Sequence, residues 1–112
     1  MCGIFGVIAR PHSFTEEKLK NALNQLHHRG PDDRGLEKFN HGNWEIHLGF
    51  RRLAILDLSP LGHQPMNRSF GDKKKSLVFN GEIYNYKELK KGLKEHWDFK
   101  STSDSEVLFA GL

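Results

Sequence analysis

Apolar positions along the chain fall into short periodic blocks separated by glycine- and proline-bearing loops. Gly3 to Ala9 is an apolar run with β-branched Ile4, Val7 and Ile8, closed by Pro11, and reads as a buried strand. Ser13 with Glu16 has the spacing of a capping box. Leu19, Ala22, Leu23 and Leu26 then recur on one helical face, which predicts an amphipathic helix from about Phe14 to His28. Gly30-Pro31 stops it, because the proline ring bars the preceding residue from helical geometry, and a loop follows through Arg29-Gly30-Pro31-Asp32-Asp33. Trp44, Ile46, Leu48 and Phe50 alternate with Glu45, His47 and Gly49, the period of a half-buried strand. Arg51-Arg52 interrupts the alternation before a second apolar stretch, Leu53 to Leu58, read as a further strand. A loop from Ser59 to Met66 and a polar turn at Gly71-Asp72 lead to a short strand, Ser76 to Phe79, which ends in Asn80-Gly81-Glu82. Asn85 with Glu88 marks a second helix start, with Leu89, Leu93 and Trp97 on one stripe. Ser103 with Glu106 marks a third, and it has room for only a few turns before Leu112. The expectation is therefore one domain, residues 1–112, incomplete at its C-terminal end.

Composition narrows the class without naming an activity. At 112 residues, 37% hydrophobic and 28% charged, the sequence describes an ordinary globular domain rather than a disordered or membrane-spanning chain. No apolar run approaches the roughly 18 residues of a membrane helix. One cysteine excludes a disulfide framework, and with no secretory leader in view a cytoplasmic location is expected. A net charge of +3 raises the question of nucleic acid. The lysines gather at Lys73-Lys74-Lys75 and at Lys87, Lys90, Lys91 and Lys94, which read as a solvated turn and the wet side of a helix, and no nucleic-acid partner is expected. The seven histidines show no metal-site spacing.

The candidate chemistry starts at the second residue. Cys2 stands directly behind Met1, and removal of that methionine would leave a thiol and a free α-amine on one residue, the amine titrating near neutrality as a built-in base. A lone cysteine is more often a small buried hydrophobe. Asn80-Gly81 at a strand end offers a side-chain amide beside an unhindered backbone N–H, which suits an oxyanion hole and equally suits a plain turn. Arg52 could clamp a carboxylate bidentately or lie in solvent at a sheet edge. Asp104 could meet an ammonium group or merely favour a helix dipole.

Taken in order, Cys2-Gly3-Ile4-Phe5-Gly6, His28-Arg29-Gly30-Pro31-Asp32-Asp33, Arg52 to Leu58, Gly62-His63-Gln64-Pro65-Met66, Asn80-Gly81-Glu82-Ile83-Tyr84-Asn85-Tyr86 and Ser103-Asp104-Ser105-Glu106 resemble the glutaminase domain of class II glutamine amidotransferases. Among these the chain is most similar to glutamine-hydrolysing asparagine synthetases. The resemblance implies an α+β fold of the N-terminal nucleophile type, an αββα sandwich, here truncated. It implies L-glutamine as substrate and Cys2 as nucleophile. Asn80 and Gly81 would form the oxyanion hole, Arg52 with the backbone of Leu53, Ala54, Ile55 and Leu56 would hold the substrate α-carboxylate, and Glu82 and Asp104 would hold its α-ammonium. The loop Arg29 to Asp33 matches one that would shape the pocket wall, a structural rather than a chemical role. Ala54 stands where such chains often carry serine. No metal or cofactor is implied for this chain. ATP and magnesium belong to a synthetase domain that adenylates aspartate, whose Ser-Gly-Gly-x-Asp-Ser loop does not occur in this sequence. The alternative is a non-catalytic remnant or interaction protein of the same family, and uncovered sheet edges make association into homo-oligomers an expectation for either.

Overall fold

A computed structural model describes residues 1–112. The elements are β1 (Gly3–Ala9), α1 (Glu16–Gln25), a 3-10 turn (His27–Arg29), β2 (Asp33–His41), β3 (Trp44–Arg52), a second 3-10 turn (Pro60–Gly62), β4 (Met66–Phe70), β5 (Lys73–Leu77), α2 (Tyr86–Leu93) and α3 (Asp104–Gly111). The mixture of helices and strands agrees with the expected α+β class. β1, β3 and β2 form an antiparallel sheet in that order, with Gly3 opposite Arg51, Ile4 opposite Phe50 and Asp33 opposite Arg52. β4 and β5 form a separate hairpin across the turn expected at Gly71-Asp72.

Several expectations are corrected. The cap of α1 is Thr15, whose hydroxyl accepts from Lys18 N at 3.3 Å, so the helix starts later than the Ser13 signal suggests; it also stops at Gln25 and tightens into the 3-10 turn. β2 was absent from the pattern because its nine residues carry only Leu36 and Phe39 as large apolar side chains. β4 is likewise missing from the pattern, which places only its Met66, at the end of the preceding loop, and the strand expected at Ser76–Phe79 runs instead from Lys73 to Leu77, so the lysine run is strand rather than turn. Leu53 to Leu58 is not a strand. It is a loop with Ile55, Leu56 and Leu58 exposed, bent by contacts to Arg52 and Asp57 described below.

The alternation in β3 is real, but its sides are not divided as a half-buried strand would divide them. Glu45, His47, Gly49 and Arg51 are all buried, because α1 lies over that face. Leu19 and Leu23 are the buried positions of the helix, and Arg51 fastens its end, donating to Leu23 O at 3.1 Å and to Asn24 Oδ1 at 2.6 Å. On the opposite face Phe50 is fully buried, while Ile4 (42%), Trp44 (43%) and Ile8 (69%) stay open towards the far end of the sheet.

α3 is the element that closes the structure behind the site. Ser103 caps it, accepting from Glu106 N at 3.3 Å, as the sequence indicates. The Glu106 carboxylate reaches back over the preceding segment and accepts from Lys100 N (3.0 Å), Ser101 N (2.6 Å), Ser101 Oγ (2.7 Å), Trp97 Nε1 (3.2 Å) and Arg68 Nη2 (2.8 Å). Although buried, it is held down to a pKa of about 2 because this set of N–H and O–H donors favours the charged form. Trp97 also packs on Phe70, Phe99 and Phe109 with ring centroids 5.7–6.4 Å apart. No helix is long and apolar enough to cross a membrane.

Candidate functional site

The alternation of β3 sends Arg51 to the helix and Arg52 to the other face, beside the start of β1. A cavity of about 320 Å³ opens there, large enough for a small metabolite. Its lining gathers Cys2, Arg52, Leu53, Ile55, Leu56, Asn80, Gly81, Glu82 and Asp104, drawn from the N-terminus, the loop after β3, the segment after β5 and the start of α3. Of the catalytic and ligand-holding candidates only Ala54 lies outside the lining, its N–H donating to Asp32 Oδ2 at 2.8 Å, and the Arg29–Asp33 loop expected in the wall does not line the cavity either.

Cys2 is held by one residue of the neighbouring loop. Leu53 N–H points at Sγ at 3.3 Å, and the thiol faces Leu53 O at 3.7 Å. Arg29 Nε donates to Cys2 O at 3.0 Å and Asp32 N to Arg52 O at 3.0 Å, so the Arg29–Asp33 loop braces the backbone on both sides of the cavity floor. Asp33 contributes through His63, its Oδ2 lying 2.7 Å from Nδ1.

Arg52 is only 8% exposed. Two of its five N–H bonds go to its own loop, from Nη1 to Ser59 O at 2.8 Å and from Nη2 to Asp57 O. The rest remain free to meet an anion in the cavity. Gly62 lies flat against the guanidinium: a Cβ there would come within 2.1 Å of Nη2. Across the cavity Asp104, also buried, accepts Ile83 N at 2.9 Å through Oδ2, and Glu82 stands exposed on the rim. Positive charge on one side and carboxylates on the other suit a zwitterionic ligand. Gly81 packs under the Phe79 ring, which leaves only 2.6 Å for any Cβ, so this turn stays glycine and its N–H unhindered. No group of three or more His, Cys, Asp or Glu side chains is placed to hold a metal ion.

Two residues that hold this site were not assigned roles from the sequence. Gln64, 3% exposed, accepts Phe79 N at 2.6 Å and donates to Ser105 Oγ at 3.2 Å, fixing the approach to Asn80 against α3. Asp57 accepts from Ser59 and from Thr102. The available signal was an acid set among leucines in Leu53–Leu58, a buried-charge pattern that calls for a partner.

The whole chain, residues 1–112, matches the family model described as a glutamine amidotransferase domain. The chain belongs to that family. Among curated relatives, this amidotransferase domain is 40% identical over 96% of its length to putative asparagine synthetase [glutamine-hydrolyzing] 2 of Methanocaldococcus jannaschii. It is 45% identical over 96% of its length to asparagine synthetase [glutamine-hydrolyzing] 2 of Bacillus subtilis, and 37% identical over 98% to amidase chry2 of Gibberella zeae. The domain spans only 14–23% of the lengths of these three proteins.

Proposed function

We propose that the cavity binds L-glutamine and that Cys2, once Met1 is removed, attacks its side-chain amide. While Met1 is attached the nitrogen of Cys2 is an amide and cannot act as a base; its removal supplies an α-amine next to the thiol. The amine takes the thiol proton, Sγ bonds to the amide carbon, and the negative charge that develops on the oxygen is met by the Asn80 side-chain amide and the Gly81 N–H. One such donor is worth about 3 kcal/mol of transition-state stabilisation. The C–N bond then breaks and the protonated amine returns its proton to the leaving ammonia. Water hydrolyses the thioester, giving glutamate and the free thiol. Arg52 binds the α-carboxylate together with backbone groups of Leu53, Ile55 and Leu56, and Asp104 with Glu82 binds the α-ammonium.

The observation that carries this reading is the convergence of Cys2, Asn80-Gly81, Arg52 and Asp104 on one cavity from four distant parts of the sequence. The companion fold is the αββα sandwich. The open apolar side of the sheet at Ile4, Ile8 and Trp44 fits the surface a second β layer would cover. The ammonia acceptor of this reading is aspartate, as the asparagine synthetase names of the archaeal and bacterial relatives support; ATP and magnesium would serve a synthetase domain outside these residues.

Glutamate release from glutamine, measured beside an intact mass, tests the reading. Turnover by protein that lacks one methionine, and none by Cys2→Ala, is the expected result. Equal rates in the two proteins would overturn it.

A further inference from the structure

Asp57 lines the cavity, but its carboxylate is engaged by Ser59 and Thr102, and both charged ends of the cavity hang on it. Its Oδ1 accepts Ser59 N at 2.8 Å and Ser59 Oγ at 2.5 Å, closing a tight turn. That turn aims two carbonyl groups, those of Asp57 and Ser59 on either side of Leu58, at the Arg52 guanidinium. Its Oδ2 crosses to the other wall and accepts Thr102 N at 2.8 Å and Thr102 Oγ1 at 3.1 Å. Thr102 precedes Ser103, the cap of α3, and Asp104 is the first residue of that helix. One buried carboxylate, 7% exposed, thus ties the loop that orients the cation to the segment that presents the acid.

We propose that Asp57 is a positioning residue that sets the gap between Arg52 and Asp104, and so selects ligands carrying a carboxylate and an ammonium on the same carbon. The inference rests on the reading of the cavity as a glutamine site. The chemistry is that of a strut. An α-amino acid holds its two charges at a fixed short separation, and a binding site gains from both only if its own charges are held at the matching one. Neither Arg52 nor Asp104 can hold that separation alone, because each is fastened to a different loop. Asp57 is suited to bridge them because it stays ionised: the Ser59 hydroxyl, ahead of the Thr102 donors, holds its pKa down to about 2 despite burial.

The test compares three amides on the full chain with Met1 removed: L-glutamine, 4-aminobutanamide, which lacks the carboxylate, and glutaramate, which lacks the ammonium. In Asp57→Asn, kcat/KM for glutamine is expected to fall about 100-fold, mainly through KM, the scale of a displacement of about 1 Å in a positioned group. The two single-headed amides, which never used the matched gap, are expected to change less than about 3-fold. A residue that only stabilises the fold would lower all three by one factor, and that result overturns the proposal. Thr102→Val, which removes one donor and leaves the backbone bond, gives the same selective loss at smaller amplitude and decides the matter if Asp57→Asn does not fold. Arg52→Lys separates the two levels of inference. Loss of glutamine and glutaramate in Arg52→Lys, with 4-aminobutanamide spared, together with uniform loss in the Asp57 and Thr102 variants, removes the strut and keeps the site. Unchanged glutamine kinetics in Arg52→Lys removes the site reading, and the strut with it.

Discussion

On one face of the three-stranded sheet α1 lays Leu19 and Leu23 over the strands, and Arg51 anchors its end. On the other face no helix lies across the strands beside the cavity. Loops meet there, and their ties are hydrogen bonds to three buried side chains: Asp57, Gln64 and Glu106. The buried apolar residues number five, against eleven buried polar or charged ones, most of them on this second side or in the segment behind it. Packing holds the first face and tolerates small adjustments among apolar neighbours. Directional bonds hold the second, and fix where each functional group points at the cost of sensitivity to any lost partner. The adjacent arginines summarise the contrast. Arg51 spends its donors on the helix end, whereas Arg52 gives part of its set to its own loop and keeps the remainder for the cavity.

The sharpest separation of the two faces comes from Cys2→Ala. Glutamate release should drop at least about 10³-fold, with little change in melting temperature, since Sγ contributes only weak contacts to Leu53. Glu106→Ala should do the reverse by leaving its buried donors unpaired, costing on the order of 3 kcal/mol in urea unfolding and altering the near-UV signal of Trp97, which donates to that carboxylate. A mild effect would show that water substitutes for the carboxylate and that the second face is not held as described. Leu23→Ala opens a cavity under α1 and should cost about 3 kcal/mol while leaving KM for glutamine unchanged; a raised KM would mean the two faces are coupled through the sheet.

Acid should weaken the second face first. Asp57 and Glu106 have folded-state pKa values of about 2, lowered from the usual 3.8 and 4.5. Both therefore bind protons more readily when unfolded, so the stability they contribute is present above about pH 4.5 and is lost as pH falls towards about 2. Unfolding midpoints measured across that window should slope downward with acid, and Glu106→Gln should flatten the slope. An unchanged slope would take Glu106 out of this account. The smallest effect is expected at the exposed Glu16–Lys20 pair on α1, where Lys20→Ala should leave the melting temperature unchanged within error.

What could be read from the sequence was what neighbouring residues decide. Ser103 with Glu106 marks the start of α3 because a cap closes within one turn, β1 follows from its β-branched apolar run, and β3 follows from alternation. β2 escaped because a strand can be formed by its partner: Glu37 and Lys38 sit in register with Leu48 and His47 whatever their own propensity. Alternation also could not tell which side of β3 would be covered, since α1 chose the side carrying Glu45 and His47. The lining residues of the cavity came through motif resemblance, which marks position and chemistry together. Asp57 and Gln64 did not acquire roles that way, because Thr102 and Ser105, their partners on the far wall, lie 45 and 41 residues away.

Leu53 meets the Cys2 sulfur with both its N–H and its carbonyl, and its side chain begins the loop that bends round to Asp57. On the proposed reading, recognition and reaction would therefore share a single residue. A ligand whose carboxylate drew the Arg52 loop into place would then also set the angle at which the sulfur is presented, and one that left the loop slack would present the sulfur off its proposed line of attack. Fidelity in such a site would be mechanical: the wrong guest would not only be held less tightly but would also meet a mis-aimed sulfur.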